Sequence, residues 1–349
     1  MEFCHSHTVE ARRPLAPVDI AVAVLVVLAA GCTGSNSAPS TTAKPAPPTT
    51  TSRPPPLITL DQARQFIDKD RAVNQQANAA LDTALQDSHE VDAARALDDY
   101  QYAALRARGE KFEGAAKYNA HTPVVPYQMS YPAQFLDFAE GTSSSGDAFK
   151  DIGLYIQASE SDSPKLAAYT YPLTDTPFPA TALDSSGYAQ LVTDSSTVKF
   201  DVDSLAAAHA AYLNGNVAAD QPGTSDTFDS EAIQMRAKEY QEEVADLKSK
   251  DINVAFTFDA GPYQSTAYRM GDGGALVFYT VHLQHILTSA LPGGTVDYDE
   301  PIATLAPGSY RQVVYDGLIV VTAIDPPGAA TVPVKFVASV AGVTKVTGT

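Results

Sequence analysis

Two histidines three residues apart have the spacing of a possible metal site. His282 and His285 lie in the segment HLQH, and a helix would place both imidazoles on one face, as a zinc pair requires. The surrounding run, ALVFYTVHLQHIL, is rich in β-branched and aromatic residues and favours a strand. On a strand, positions three apart point to opposite faces. We therefore expect two separate sheet histidines and no metal pair.

Two further segments resemble ligand-binding loops in composition. Asp297, Asp299 and Glu300 in TVDYDEP could supply oxygen ligands to calcium, but the twelve-residue loop with its turning glycine is missing. We expect a solvated acidic loop there. The segment MGDGGAL is glycine-rich but lacks the lysine and the following helix of a phosphate loop, so it predicts a hairpin turn.

The sequence contains no recognisable catalytic set. No Gly-x-Ser-x-Gly motif is present, so a nucleophile-elbow hydrolase has no support. His89, His121 and His209 have no acid or nucleophile at a recognisable spacing, and we expect each to be an ordinary core or surface residue. The sequence implies no cofactor.

An acid pair for glycoside hydrolysis remains an open alternative, because the separation of two such carboxylates is spatial and not sequential. The chain has 41 acidic residues from which a pair could come. It has no Trp for a sugar-stacking platform, although its 17 Tyr could substitute. An envelope hydrolase that acts on carbohydrate is therefore the alternative function.

Cys32 follows a short apolar stretch near the N-terminus. The stretch runs from Ile20 to Ala30, too short for the roughly 20 residues that span a bilayer, and is preceded by Arg12 and Arg13. Small residues then lead directly into Cys32. This order is typical of a secretion signal with its cleavage site before the cysteine.

The segment 12–32 resembles a bacterial lipoprotein signal. Leu28, two alanines and Gly31 precede Cys32, in the manner of a lipobox, although Leu28 is one position further from the cysteine than is commonest. The resemblance implies that residues 1–31 are a signal peptide and that Cys32 is lipidated. The acylated Cys32 would insert into membrane lipid, and the protein would lie on the extracytoplasmic face of the cell membrane.

Residues 32–56 combine the lipidated cysteine with a predicted tether. Residues 33–56 contain 17 Ser, Thr or Pro in 24 positions, a composition that cannot bury apolar surface and favours an extended linker. The whole chain of 349 residues has a formal charge of −18. Nucleic acid and anionic lipid surfaces are bound mainly through Lys and Arg, so both are poor candidates, and we expect no nucleic-acid partner.

The remaining sequence predicts helices followed by strands, twice over. Thr59 and Gln62 form a capping-box pattern, and the apolar spacing through residue 109 predicts one long helix and a second folded back on it. Strand-like runs follow from Pro123, including GYAQLV. A second helical region, with Leu205 and Ile233 in its apolar positions, precedes another series of strands.

These patterns predict an α+β fold of two successive units, residues 57–200 and 201–349. Each unit would lay helices across a curved antiparallel sheet, cystatin-like or nuclear-transport-factor-like in outline. Such sheets often enclose an apolar pocket, so a small apolar ligand or an envelope protein is the expected partner.

The opening helix, LDQARQFIDKDRAVNQQANAALDTAL, taken with the leader and tether, resembles an uncharacterised domain of actinobacterial lipoproteins. The resemblance covers residues 57–349 and implies no activity or site residues. The sequence as a whole therefore predicts a membrane-anchored, non-catalytic binding or scaffolding module of the cell envelope.

Overall fold

The computed structural model describes most of the chain after the predicted tether. The described residues are 53–112, 116–172, 176–217, 219, 222–296 and 305–349. Within them, the α-helices are α1 (Leu60–Ala80), α2 (Thr83–His89), α3 (Asp92–Arg108), α4 (Leu205–Asn216) and α5 (Ser230–Lys248).

The strands form two antiparallel sheets. The first has the order β1-β2-β3-β4, with the bounds β1 (Lys117–Val124), β2 (Ala133–Thr142), β3 (Ala148–Gln157) and β4 (Lys165–Thr170). The second has the order β5-β7-β8-β9, and β6 also pairs with β7; the bounds are β5 (Ile252–Ala260), β6 (Thr266–Arg269), β7 (Ala275–Ser289), β8 (Gln312–Asp325) and β9 (Lys335–Gly348). The predicted α+β class, with helices before an antiparallel sheet in each half, is confirmed.

The sheets pack face to face between two helical layers. Alternate residues of β7 divide between the faces: Leu276 and Phe278 share a buried cluster with Leu136 of β2, whereas Val277 and Tyr279 pack with residues of α4 and α5. The outer face of the first sheet is packed against α1. Helix α3 contacts β4 and β9 and closes one side between the sheets. Burial on both faces explains why β7 and β8 are nearly continuously apolar.

A hydrogen bond crosses between the sheets within this core. The hydroxyls of Thr170 in β4 and Thr322 in β8 lie 2.7 Å apart, and both side chains are fully buried. Residues Pro55–Thr349 form one compact unit, and one buried cluster draws side chains from both halves. Independent folding of 57–200 and 201–349 stays a prediction.

Local chemistry explains where the first helices begin and end. The capping box is confirmed, with the N–H of Gln62 donating to Thr59 Oγ1 and the N–H of Thr59 to Gln62 Oε1. The expectation of only two helices through residue 109 is wrong, because the chain turns at Leu81 in a left-handed conformation (φ 50°). Asp82 then caps α2 by accepting from the N–H of Leu85, and α3 begins separately after Val91.

Two strand predictions also differ from the structure. Strand β1 begins at Lys117, earlier than the predicted change at Pro123; its asparagine and proline are poor strand formers, and it lies at a sheet edge, where proline is tolerated. The segment GYAQLV forms isolated bridges at Ala189 and Leu191 and no strand. Its backbone partners are loop segments and the short β6, so no extended ladder can form.

Candidate functional site

The histidine pair lies on a strand, as predicted, with the two rings on opposite faces of the second sheet. His282 of β7 is half-buried, with Nε2 3.6 Å from Asp316 Oδ1. His285 is buried between the rings of Phe256 and Tyr315, with Nε2 3.7 Å from Glu243 Oε1. The glycine-rich segment forms the predicted turn between β6 and β7.

Other predicted residues fall outside the described part of the chain. These are Cys32 and the acidic residues Asp297, Asp299 and Glu300. His209 is a core residue, as expected: its ring packs against Phe228 and Phe336, and burial lowers its pKa to about 3.

The main concentration of ionisable groups lies between helices α1–α3 and the outer face of the first sheet. We call this the polar layer, and its acids and histidines are Asp68, Asp70, His89, Glu90, Asp98, His121, Asp137 and Asp151. An amphipathic helix ordinarily packs on a sheet through apolar side chains. Here part of the packing on the sheet is apolar, through Ala63 and Ile67 at the start of α1 and Ala94 of α3.

A histidine and an aspartate lie at the centre of the polar layer. His89 Nδ1 is 3.0 Å from Asp70 Oδ1, and the hydroxyl of Tyr155 donates to Asp70 Oδ2 at 3.0 Å. Both side chains are at least nine-tenths buried. Asp70 therefore orients the imidazole, an arrangement that active sites use to set a histidine tautomer.

Two carboxyl groups lie together beside this pair. Asp98 accepts hydrogen bonds from Gln86 at 2.9 Å and from Tyr169 at 2.7 Å. Glu90, fully buried, is held in place because its backbone bridges to β4, and its side chain lies against Asp98 and Gln86. Burial raises the pKa of Asp98 to about 6. Burial and the charge of Asp98 raise the pKa of Glu90 well above its ordinary value. Burial therefore favours the neutral form of both carboxyl groups over the charged form.

A second group of charges lies towards the edge formed by β1. Arg71 of α1 pairs with Asp137 of β2. His121 bridges two acids, with Nδ1 3.7 Å from Asp137 Oδ1 and Nε2 3.4 Å from Asp68 Oδ1. Burial raises the pKa of Asp137, against the opposite effects of Arg71 and His121.

Asp151 of β3 is the acid of this group whose pKa lies near neutrality. It accepts a hydrogen bond from the hydroxyl of Tyr118 at 3.3 Å. Burial, together with the neighbouring Asp137 carboxylate, raises its pKa to about 7. The guanidinium of Arg71 stacks 3.5 Å from the centre of the Tyr118 ring and so covers this part of the sheet.

The polar layer is more enclosed than the clefts in which catalytic acids work. Catalytic acids work in a cleft that admits substrate, whereas Asp70, His89 and Glu90 are enclosed between helices and sheet. The two carboxyls of a glycoside hydrolase are about 5 to 9.5 Å apart, and Glu90 and Asp98 interact directly. Within the described ranges, no three His, Cys, Asp or Glu residues are placed to hold a metal ion.

A small cavity lies between the two sheets, near the start of α3. It has a volume of about 30 Å³ and is lined by apolar side chains such as Leu154 and Phe278, with Asp92 and Tyr263 among its other residues. One water molecule takes about 30 Å³ in the liquid. Pockets for organic ligands are typically about 300 to 1,000 Å³. This cavity is therefore too small for such a cargo.

The polar layer was missed because its members are far apart in sequence. Asp70 and His89 are separated by 19 residues, and Tyr155 is a further 66 residues along the chain. The available signal was an acid on an otherwise apolar helix face: Asp70 follows Ala63 and Ile67 at helical spacing, and all three are buried. That signal identifies a buried acid but not its partner.

The fold and the polar layer define an α+β protein with two facing sheets and a buried acidic network. The chain belongs to the family described as Domain of unknown function (DUF8094), whose sequence model matches residues 54–348. The expectation of an uncharacterised domain is thereby confirmed. Searches of curated proteins and of solved structures found no match. None of the helices in the described ranges has both the length and the apolar character to cross a membrane.

Proposed function

We propose that this protein is a lipoprotein, anchored through acylated Cys32 on the extracytoplasmic face of the cell membrane, and that it is a non-catalytic binding or scaffolding module. The observation that carries the non-catalytic part is the enclosure of the polar layer. Asp70, His89 and Glu90 contact other protein groups and are at least nine-tenths buried. They stabilise the fold from inside and leave its outer surface for recognition.

The sequence before the folded unit supports the anchor. The apolar stretch Ile20–Ala30 ends two residues before Cys32, and the Ser, Thr and Pro-rich residues 33–56 follow it. Two acyl chains on a thioether-linked glycerol give stable membrane attachment, because each buried methylene contributes about 0.8 kcal/mol. A tether of this composition sets how far the folded unit can reach from the bilayer.

The packing of the two sheets favours a macromolecular partner over a small cargo. Along the first half of β7 each sheet covers the inner face of the other, and helices pack on both outer faces, so the core between the sheets is closed there. The cavity of about 30 Å³ holds no more than a water-sized group. An envelope protein that binds the outer surface is therefore the partner that we propose.

Replacement of the anchor residue tests the location. The Cys32→Ser chain should leave the membrane fraction or remain an uncleaved precursor, as measured by fractionation and by the mass of the N-terminal peptide. Cys4→Ser is the matched control, because the predicted signal peptide removes this residue. An unchanged membrane fraction and an unchanged N-terminal mass for Cys32→Ser would refute the lipoprotein proposal.

Native mass spectrometry of the mature chain tests the choice of partner. We expect the mass of the chain with its acyl chains and nothing else, because the cavity is too small for a ligand. A retained organic molecule would refute the proposal that the module binds at its surface, and would redirect the search towards transport or sensing.

A carbohydrate hydrolase is the second candidate, and Asp151 is the observation that favours it. Asp137 and Asp151 are diagonal neighbours on β2 and β3, and an acid with a pKa of about 7 suits a general acid. Against this, Asp137 is 2% exposed and pairs with Arg71. Hydrolysis of cell-wall glycan that is lost in Asp151→Asn and kept in Asp147→Asn, a loop control, would establish the enzyme.

A further inference from the structure

An uncharged, aromatic surface lies where the predicted tether joins the folded unit. We call it the tether-side patch and define it by Met129, Tyr131, Leu183 and Tyr188. Met129 and Leu183 are 55% and 56% exposed, which places them among the most exposed large apolar side chains of the described residues. Tyr131 and Tyr188 are half-buried. Large apolar side chains exposed together commonly mark an interaction site.

Backbone hydrogen bonds bring these residues together from two segments. The N–H of Ala189 donates to the carbonyl of Val125 at 2.8 Å, and this bond joins the segment of Tyr188 to that of Met129. Tyr131 and Tyr188 rest on the same buried cluster. Because its base is the packed core, the patch is a fixed surface and not a loose loop.

The chain enters the folded unit at this patch. The N–H of Leu57 donates to the carbonyl of Gln128 at 3.0 Å, next to Met129. Residues 33–56 are the 24 residues between Cys32 and that point. An extended chain of 24 residues, at about 3.1 Å per residue, reaches at most about 74 Å. If Cys32 is fixed in a membrane, the patch is held at high local concentration near the headgroups, so a weak contact suffices.

Charge distinguishes the patch from the rest of the protein. The segments PYQMSYP (126–132) and SSGYAQL (185–191) contain no charged residue, whereas the chain as a whole carries −18. The carboxylate of Asp184, beside the patch, accepts from the N–H groups of Ser186 and Tyr188 and so serves the turn. An anionic lipid surface repels acidic faces. An uncharged face is therefore the one that can approach it.

We propose that the tether-side patch lies against the lipid headgroups when the protein is anchored, with Met129 and Leu183 in the interface. Tyrosine suits this position, since its ring is apolar and its hydroxyl polar, and it is enriched at membrane interfaces. This inference rests on the anchor proposed above. The partner surface of that proposal would then be the opposite end of the molecule, which faces outward.

The lack of Trp in the chain allows a direct test. In a Cys4→Ser background, Cys32 is the single thiol and can be coupled to a maleimide lipid in vesicles of phosphatidylcholine and phosphatidylglycerol. One variant carries Met129→Trp. The control carries Leu291→Trp, which is 52% exposed and follows the far end of β7. The segment that carries Leu183 and Tyr188 bridges to β6 through Leu191, and β6 pairs with the start of β7, whereas Leu291 follows the other end of that strand.

On vesicles, we expect the tryptophan fluorescence of Met129→Trp to shift to the blue and to be quenched by brominated acyl chains. The fluorescence of Leu291→Trp should keep the emission of a solvent-exposed tryptophan. Adding Leu183→Ser to Met129→Trp should reduce the quenching. Equal quenching of both reporters, or none, would overturn the proposal. A blue-shifted tryptophan emission of Met129→Trp in the absence of vesicles would also overturn the proposal, because the patch would then be covered by protein.

The chemical coupling keeps this test separate from the anchor proposal. If cells fail to acylate Cys32, the lipoprotein function fails, but quenching of the coupled chain still reports on the patch. If cells acylate Cys32 and quenching is absent, the anchor stands and the membrane-facing patch is refuted.

Discussion

Replacement of Glu90 by Gln should make the protein more stable at alkaline pH and leave it unchanged in mild acid. Burial and the charge of Asp98 raise the pKa of Glu90, so folding favours the neutral form of this side chain. A glutamine amide has nearly the same shape and can also donate to Asp98. The substitution therefore removes the titratable carboxyl group and keeps a hydrogen-bond donor to Asp98.

The sign follows from proton linkage. An acid with a raised pKa in the folded state stabilises the fold below its ordinary pKa, and this contribution is lost as the pH rises through the folded-state value. The slope is about 1.4 kcal/mol per pH unit for one proton. Glu90 should therefore lower the free energy of unfolding as the pH rises from 5, until the folded protein also loses this proton.

Asp98 adds a smaller contribution in the same direction. Its pKa rises from 3.8 to about 6 because it is buried. Most of the resulting stabilisation is lost below pH 5, and about 1 kcal/mol is lost between pH 5 and pH 8. His209 and His285 act in the opposite direction, because burial lowers each pKa to about 3. These histidines are common to wild type and variant, so their effect cancels in the difference.

Urea unfolding followed by circular dichroism at pH 5, 6, 7 and 8 measures the effect. The matched control is Glu160→Gln, in the exposed turn between β3 and β4. We expect the wild type and the control to lose stability together towards pH 8, and Glu90→Gln to lose much less. Parallel pH profiles for Glu90→Gln and wild type would refute the assignment of a neutral Glu90 in the folded state.

Two further predictions concern pairs of hydrogen-bonding groups. Thr322→Val should lower the free energy of unfolding by about 1 to 3 kcal/mol, because it leaves the buried hydroxyl of Thr170 without its partner. The double variant with Thr170→Val should recover part of this loss. If urea unfolding shows that the losses of the two single variants simply add in the double variant, the pairing is contradicted. Asn214→Ala should cost about 1 to 3 kcal/mol, because its side-chain amide pairs with both backbone groups of Phe258 on edge strand β5. The same variant should scatter more light on standing, since the edge is then unprotected; unchanged scattering and stability would show that the edge does not need this cover.

The parts of the fold that depend on local pattern could be predicted from the sequence. The capping box at Thr59, the apolar face of α5 and the turn between β6 and β7 depend on residues close in sequence, and the structure contains all three. The break at Leu81 could not be predicted, because a leucine in a left-handed conformation has no characteristic local signal. Asp82 alone marks the following helix start.

The face-to-face packing of the two sheets could not be predicted from the sequence, for a different reason. Either sheet could have kept one face towards solvent, and the near-continuous apolar runs of β7 and β8 were the available sign that neither does. The polar layer was still harder to predict, because Asp137 occupies a buried position of β2 between apolar residues. Only the fold shows that Arg71 of α1 is its partner.

Tyr155 connects the interior of the protein to its tether-side surface. Its hydroxyl binds Asp70 in the polar layer, while its ring stacks on Phe135 at 4.9 Å in the cluster that supports Tyr131 and Tyr188. The acids of the layer hold the helices on the first sheet by hydrogen bonds and shared protons, and the same helices and sheet hold the base of the patch. Buried ionisable groups are costly, and they are tolerated where they fix one arrangement. Here the arrangement that they fix is the packing of α1–α3 on the first sheet, which also supports the tether-side patch.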